Sequence, residues 1–179
     1  MAEKTLTSKP VFKGRALKMR VDTVLTEDGR KSTREVVERS DCIAVVAIDN
    51  QGSILLEKQY RQAVGKELLE IPAGGIDEGE DPETAVAREM REETGFRPGK
   101  VRKLTGFYSS PGYSTEYLYL YLATDLVRDP LSAEDTAGIE VLWVTPAQAV
   151  EMIASGKIQD SKSIAGLLFY LSILKRRKM

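Results

Sequence analysis

The sequence predicts an α/β protein built on a mixed sheet. Three observations lead there. Short apolar or alternating runs recur along the chain, among them "CIAVVAI" (42–48) and "IEVLWVT" (139–145). A segment with helix signals at both ends interrupts them at residues 82–94. A stretch near the C-terminus, "IAGLLFYLSIL", is long enough for a helix and apolar enough to pack on a sheet.

The elements follow in order. Residues 11–25 and 31–39 read as paired strands joined near Asp28-Gly29, a turn dipeptide. "CIAVVAI" is a buried strand, and "SILLEKQY" (53–60) follows it after the turn residues "DNQG". "KELLEIPA" (66–73) is a further short strand. Asp81 is a good helix N-cap, Pro82 suits the first helical position and Gly95 suits the stop, so residues 82–94 form a helix. Residues 101–108 and 117–123 run or alternate apolar as strands, and 139–145 is the last strand. Helices at about residues 146–155 and 163–175 close the chain. The basic "KRRK" ends the last helix, where its charge complements the helix dipole.

Composition narrows the chemistry. The chain has 179 residues, 42% hydrophobic and 30% charged, enough for one domain with a sizeable core. A net charge of −1 points away from nucleic acid and from membrane surfaces as partners. The single cysteine, Cys42, opens an apolar run and reads as a small buried side chain suited to a reducing compartment. The first residues carry no apolar core of signal-peptide length, and no stretch is long enough to span a bilayer, so a cytoplasmic protein is expected. The chain has no histidine. That excludes His-based triads and His-containing zinc sites. Acid–base or metal chemistry must then use carboxylates, and oxygen ligands alone select hard cations such as Mg²⁺ or Mn²⁺.

Within helix 82–94, Val86 and Met90 define the apolar face. At roughly 100° per residue, Glu89 and Glu93 lie about 60° and 20° from Val86, on that same face. Glu92 lies about 120° away, and Arg88 and Arg91 lie on the opposite side. A solvated acidic patch accounts for the arginines. It accounts poorly for Glu89 and Glu93, which are neighbours on the stripe that should bury. A divalent cation is the natural compensator, and both readings stand at this point. The preceding "IPAGGIDEGED" places Gly74, Gly75 and Gly79 at a turn entering the helix, a setting that often receives phosphate.

Gly74, five residues, Glu80, seven residues and then "REMREETGF" (88–96) resemble the Nudix box without a mismatch. "EKQYRQAVGKELLEIPAGG" and "SSPGYSTEYLYLYLATDL" are similar to segments of ADP-ribose pyrophosphatases in that family, and Pro111 falls 15 residues beyond Phe96, as is usual there. The resemblance covers roughly residues 10–172. It implies a Nudix fold, a mixed sheet sandwiched between helices with an N-terminal antiparallel strand extension. Residues 1–40 would form that extension, exchanged across a homodimer, and 41–179 the Nudix hydrolase domain.

The resemblance also implies an activity and its residues. Nudix enzymes hydrolyse nucleoside diphosphate derivatives with Mg²⁺ or Mn²⁺, and ADP-ribose would yield AMP and ribose 5-phosphate. Glu89 and Glu93 match the principal metal ligands, joined by Glu92 and the carbonyl of Ala73. Arg88 would orient the glutamates, and Glu80 would bind metal or brace the loop. Arg61 matches a phosphate-binding arginine, and Glu70 a residue near the metal or the terminal ribose. Arg34 matches an arginine that serves the partner's site, and Pro111, Gly112 and Glu116 match the substrate-binding SPG…E segment. Here the chain departs from the subfamily: Ala137 stands where a late loop often carries the general base. Glu134, Asp135 and Glu140 are the nearest acids, and otherwise a glutamate such as Glu92, or Glu116, would serve. Two alternatives stand beside ADP-ribose: another nucleoside diphosphate derivative such as GDP-mannose, and a nucleotide-binding module that no longer cleaves.

Overall fold

A computed structural model describes residues 3–133 and 136–177. The chain divides into two compact units, one of residues 1–41 and 107–117, the other of residues 42–106 and 118–179.

The first unit is an antiparallel sheet of β1 (Lys4–Lys13), β2 (Lys18–Leu25) and β3 (Lys31–Glu38), in that order. The β2–β3 turn lies at Asp28-Gly29 as expected: Gly29 takes φ 79° and its amide donates to the Thr26 carbonyl at 3.0 Å. The expected strand 11–25 is two strands. Between them the chain reverses at Gly14, whose amide donates to the Leu17 carbonyl at 2.9 Å. Every residue of β1 is exposed, so pairing with β2 rather than burial makes it a strand, and hydrophobic patterning does not mark its start at Lys4.

In the second unit a four-stranded mixed sheet runs β7–β4–β10–β9, with β4 (Cys42–Ala47) parallel to β10 (Tyr117–Thr124). β7 (Ala73–Gly75) flanks β4, and β9 (Lys100–Tyr108) flanks β10. All of β4 is buried, Cys42 included. Its alternation explains why. Ile43, Val45 and Ala47 pack with Ala85, Val86 and Met90 of the helix that follows β7. Val46, one residue out of phase, meets the C-terminal helix with Leu120. That helix, α3 (Ser161–Arg177), approaches closely at Gly166, where an added Cβ would stand 2.9 Å from Ile71 Cδ1. The sheet is thus held between helices. Fully buried side chains such as Val86 and Met90 each contribute about 1.5–3 kcal/mol.

A second, antiparallel sheet runs β12–β5–β6, formed by β12 (Glu140–Val144), β5 (Ile54–Arg61) and β6 (Lys66–Glu70). The expected single strand 66–73 is therefore broken. β6 pairs with β5 and β7 with β4, and the switch falls at Ile71-Pro72, where proline has no amide for a ladder. The two-residue pair β8 (Phe96–Arg97) and β11 (Val127–Arg128) is too short to leave a periodic signal. α2 (Pro146–Ala154) opens with a capping box of Thr145 and Gln148.

Candidate functional site

Helix α1 (Pro82–Glu89) starts as the sequence predicts, with the Asp81 carboxylate accepting from the amides of Glu83 and Thr84. It does not stay α-helical. Met90–Thr94 form one π-helical turn, closed by Gly95 at φ 76°. Such wide turns occur often at functional sites, and this one carries Glu92 and Glu93.

The helix glutamates meet the glycine turn. The Glu89 carboxylate fills the space that a Cβ on Gly74 would need. Glu93 accepts from the Ala73 amide at 3.1 Å. Arg88 ties the cluster together: Nε donates to Glu80 at 2.9 Å, Nη1 to Glu89 at 2.7 Å and to Glu92 at 3.3 Å, and Nη2 to the Gly75 carbonyl at 2.8 Å. Glu80 also accepts from the Asp77 amide at 3.0 Å, bracing the loop. The hydrogen bond from Arg88 holds the Glu80 carboxyl below its ordinary range. Burial pushes Glu89 up. Burial, with the charges of Glu57 and Glu89, pushes Glu93 well above its ordinary range.

A second group adjoins it. Arg61 grips Glu70 with both arms of its fork, at 2.8 and 2.7 Å. Glu70 also accepts from Lys162, which pairs with Asp160 at 3.0 Å. Asp160 in turn accepts from the Ser163 amide and hydroxyl at 2.9 and 2.6 Å, and the Ile71 amide donates to that hydroxyl at 2.8 Å. The start of α3 is thereby pinned to the turn that enters the site. Burial opposes ionisation of Glu70, but Arg61 and Lys162 outweigh it and hold the carboxyl low.

Sequence reasoning missed Glu57, Lys162 and Asp160. Glu57 is 2% exposed and stands opposite Glu70 across β5 and β6. Its Oε1 has no hydrogen-bond partner among the described residues. Burial pushes its carboxyl up to about 8, with Glu70 and Glu89 adding to the rise and Lys162 and Arg61 opposing it. The available signal was a charged residue ending the wholly apolar run "ILL".

These residues fit a hard divalent cation. Arg88 serves Glu80, Glu89 and Glu92, whereas Arg61 and Lys162 serve Glu70. Glu93 has one amide, and one oxygen of Glu57 has nothing. A buried acceptor without a donor costs about 1–3 kcal/mol, more when charged. The donors present are all oxygens, the preference of Mg²⁺ and Mn²⁺. Among the described residues no three carboxylates close into a compact cage, since Glu89 is drawn to Arg88 and Glu93 to the Ala73 amide.

The remaining expected residues make the following contacts. Arg34, on β3, donates through Nε to Glu3 at 3.0 Å and through Nη1 to Ser32 and Thr33. Pro111 and Gly112 occupy an exposed turn in which the Tyr113 amide donates to the Ser110 carbonyl at 3.1 Å. Glu116 pairs with Arg39 at 3.3 Å. All four belong to the first unit. Ala137 lies in an exposed turn, and Glu140 is paired with Lys58 at 2.9 Å. Glu134 and Asp135 fall outside the described residues.

Comparison with known proteins adds the following. Residues 38–167 match the NUDIX domain, and residues 3–37 match the nucleoside diphosphate sugar hydrolase N-terminal domain. A Bacillus subtilis (strain 168) protein named ADP-ribose pyrophosphatase is 33% identical over 165 residues, covering 91% of this chain and 89% of its own. An Enterobacter sp. (strain 638) protein named GDP-mannose pyrophosphatase is 37% identical over 150 residues, 78% of each chain. A crystal structure described as an ADP compounds hydrolase has the same fold, with a TM-score of 0.90 at 19% identity over 99% of this chain and 96% of that one.

Proposed function

The chain belongs to the Nudix hydrolase family, and on that premise we propose that it hydrolyses the diphosphate linkage of ADP-ribose to AMP and ribose 5-phosphate, with Mg²⁺ or Mn²⁺ as cofactor. One observation carries the reading. Glu89 and Glu93 are gathered against the Gly74 turn with less cationic charge than they need, and the Arg61 fork stands in electrostatic reach of Glu93.

Glu89, Glu93, Glu92 and the Ala73 carbonyl hold the cation in this reading. When bound, it neutralises the diphosphate and acidifies the attacking water. Arg88 fixes the rotamers of Glu89 and Glu92 while Glu80 anchors it from the loop. Arg61 presents its forked donors to a phosphate, oriented by Glu70. The water oxygen joins phosphorus, the diphosphate P–O bond breaks, and a carboxylate takes the proton. Glu134 or Asp135 in the late loop is that base, with Glu92 the substitute if the loop does not supply it.

Pro111, Gly112 and Glu116 bind the rest of the substrate, with Arg34 contributed by a partner chain in a homodimer. Residues 1–40 are then the exchanged extension of a Nudix domain formed by residues 41–179. Support comes from β1, which exposes Leu6, Val11 and Phe12 along its length. A cytoplasmic site of action agrees with one buried thiol, and among the described residues no helix is long and apolar enough to cross a membrane.

The deciding experiment is a phosphate-release assay. A panel of nucleoside diphosphate derivatives is incubated with Mg²⁺ and the full chain, and the products are opened with a phosphatase. AMP and ribose 5-phosphate from ADP-ribose are expected. A second reading is favoured by the Enterobacter relative: turnover of GDP-mannose above ADP-ribose would reassign the substrate. No turnover of any diphosphate would leave a binding module.

A further inference from the structure

We propose that Glu57 is a further cation-binding residue, offered from strand β5, so that the site holds its divalent cation between β5 and the glutamate helix rather than by the helix and its preceding turn alone. The inference rests on the reading of Glu89 and Glu93 as cation ligands.

The sheet cannot neutralise Glu57. Its partner on one side is Glu70, so two buried carboxylates stand directly opposite, an arrangement that destabilises a strand pair. Its partner on the other side is Val141 on β12. The cations facing it are Arg61 and Lys162. Arg61 spends Nε and Nη2 on Glu70, and Lys162 is shared between Glu70 and Asp160. Glu70, Glu89 and Glu93 add negative charge around it.

The orphaned Glu57 Oε1 is also not alone. Side chains alternate along β5, so Glu57, Gln59 and Arg61 share a face, and the Gln59 Oε1 likewise has no donor among the described residues. A buried carboxylate oxygen without a donor, whose charge acts on Glu93, is suited to a metal. A hard divalent cation takes six or more oxygens, carboxylate and amide carbonyl among them. It satisfies Glu57 and Glu93 together. A leucine at position 57 would continue the apolar run and leave no charge to compensate, so the glutamate is costly unless it binds something.

The test measures metal, not turnover. Mn²⁺ binding to the full chain without substrate is titrated by the loss of the aqueous Mn²⁺ EPR signal, alongside thermal melting with and without Mn²⁺. Wild type is compared with Glu57→Gln, Glu57→Leu and Glu93→Gln. Both Glu57 variants are expected to weaken Mn²⁺ affinity by about tenfold or more and to reduce the rise in melting temperature that Mn²⁺ produces. Glu57→Leu should melt no lower than wild type without metal. If both Glu57 variants bind Mn²⁺ as wild type does while Glu93→Gln loses it, Glu57 is structural and the inference falls alone. If Glu93→Gln also binds normally, the cation site itself is misplaced and both readings fall. Should Glu57→Leu fail to fold, the isosteric Glu57→Gln decides by itself.

Discussion

Gly74 and Glu89 occupy complementary space: the Glu89 carboxylate sits where a Cβ on residue 74 would be. A methyl group there must displace the carboxylate or push the turn off the helix. Gly74→Ala is therefore expected to lower divalent-cation affinity and kcat/KM by roughly 10–100-fold, the usual effect of disturbing a ligand's support. Circular dichroism should show an unchanged fold. Wild-type Mn²⁺ affinity in Gly74→Ala would mean that Glu89 has room to bind from another rotamer.

Metal and pH should act on stability together. Glu57, Glu89 and Glu93 have carboxyls raised in the folded chain, with Glu57 at about 8. A raised carboxyl contributes stability that is complete below its unfolded pKa and is lost as pH climbs through the folded one. Glu70 and Glu80 shift the other way, and their contribution is already complete above the ordinary carboxylate range. From about pH 5 to about pH 8 the metal-free protein should thus lose melting temperature. Millimolar Mg²⁺ should raise it, most at the alkaline end. A flat metal-free profile, or one that Mg²⁺ leaves unmoved, would count against an uncompensated carboxylate cluster.

The general base is separable from the metal ligands. Glu134→Gln or Asp135→Asn should cut turnover by roughly 10²- to 10⁴-fold with little change in metal affinity, and higher pH should partly rescue the affected variant. Glu93→Gln should instead weaken metal binding and turnover together. If both loop variants and their double mutant turn over normally, the base lies elsewhere, and Glu92 or Glu116 is next to be replaced.

The N-terminal strands are expected to carry the dimer. A chain starting at about Ser40 should sediment as a monomer and lose substrate affinity, because it lacks β1, β2 and Arg34. Retained activity and an unchanged oligomeric state would refute strand exchange. Arg34→Ala in the full chain isolates the side chain: KM should rise while the oligomeric state holds.

The sequence by itself determined the features that are local in physics. Asp81, Pro82 and Gly95 bound one helix because capping and backbone preference act within a turn or two, and the structure keeps those bounds. The turn at Asp28-Gly29 and the buried run of β4 are legible for the same reason. So is the spacing from Gly74 through Glu80 to Glu93, which brings a glycine turn to a carboxylate helix. Tertiary structure decided the rest. Residues 66–73 became parts of two sheets because β5 and β4 each claimed a portion as a ladder partner. Strand β1 exists through β2, not through its own pattern. Arg88 points away from the glutamates on a helical wheel, but its long side chain curls back to bind two of them, Glu89 and Glu92, along with Glu80 and the Gly75 carbonyl of the loop. Glu57 and Lys162 reach one site from β5 and α3. The cost of a buried charge is set by what packs around it. For Glu57 that is Glu70 across the strand and the helix glutamates beyond, none of them visible in its own stretch of chain.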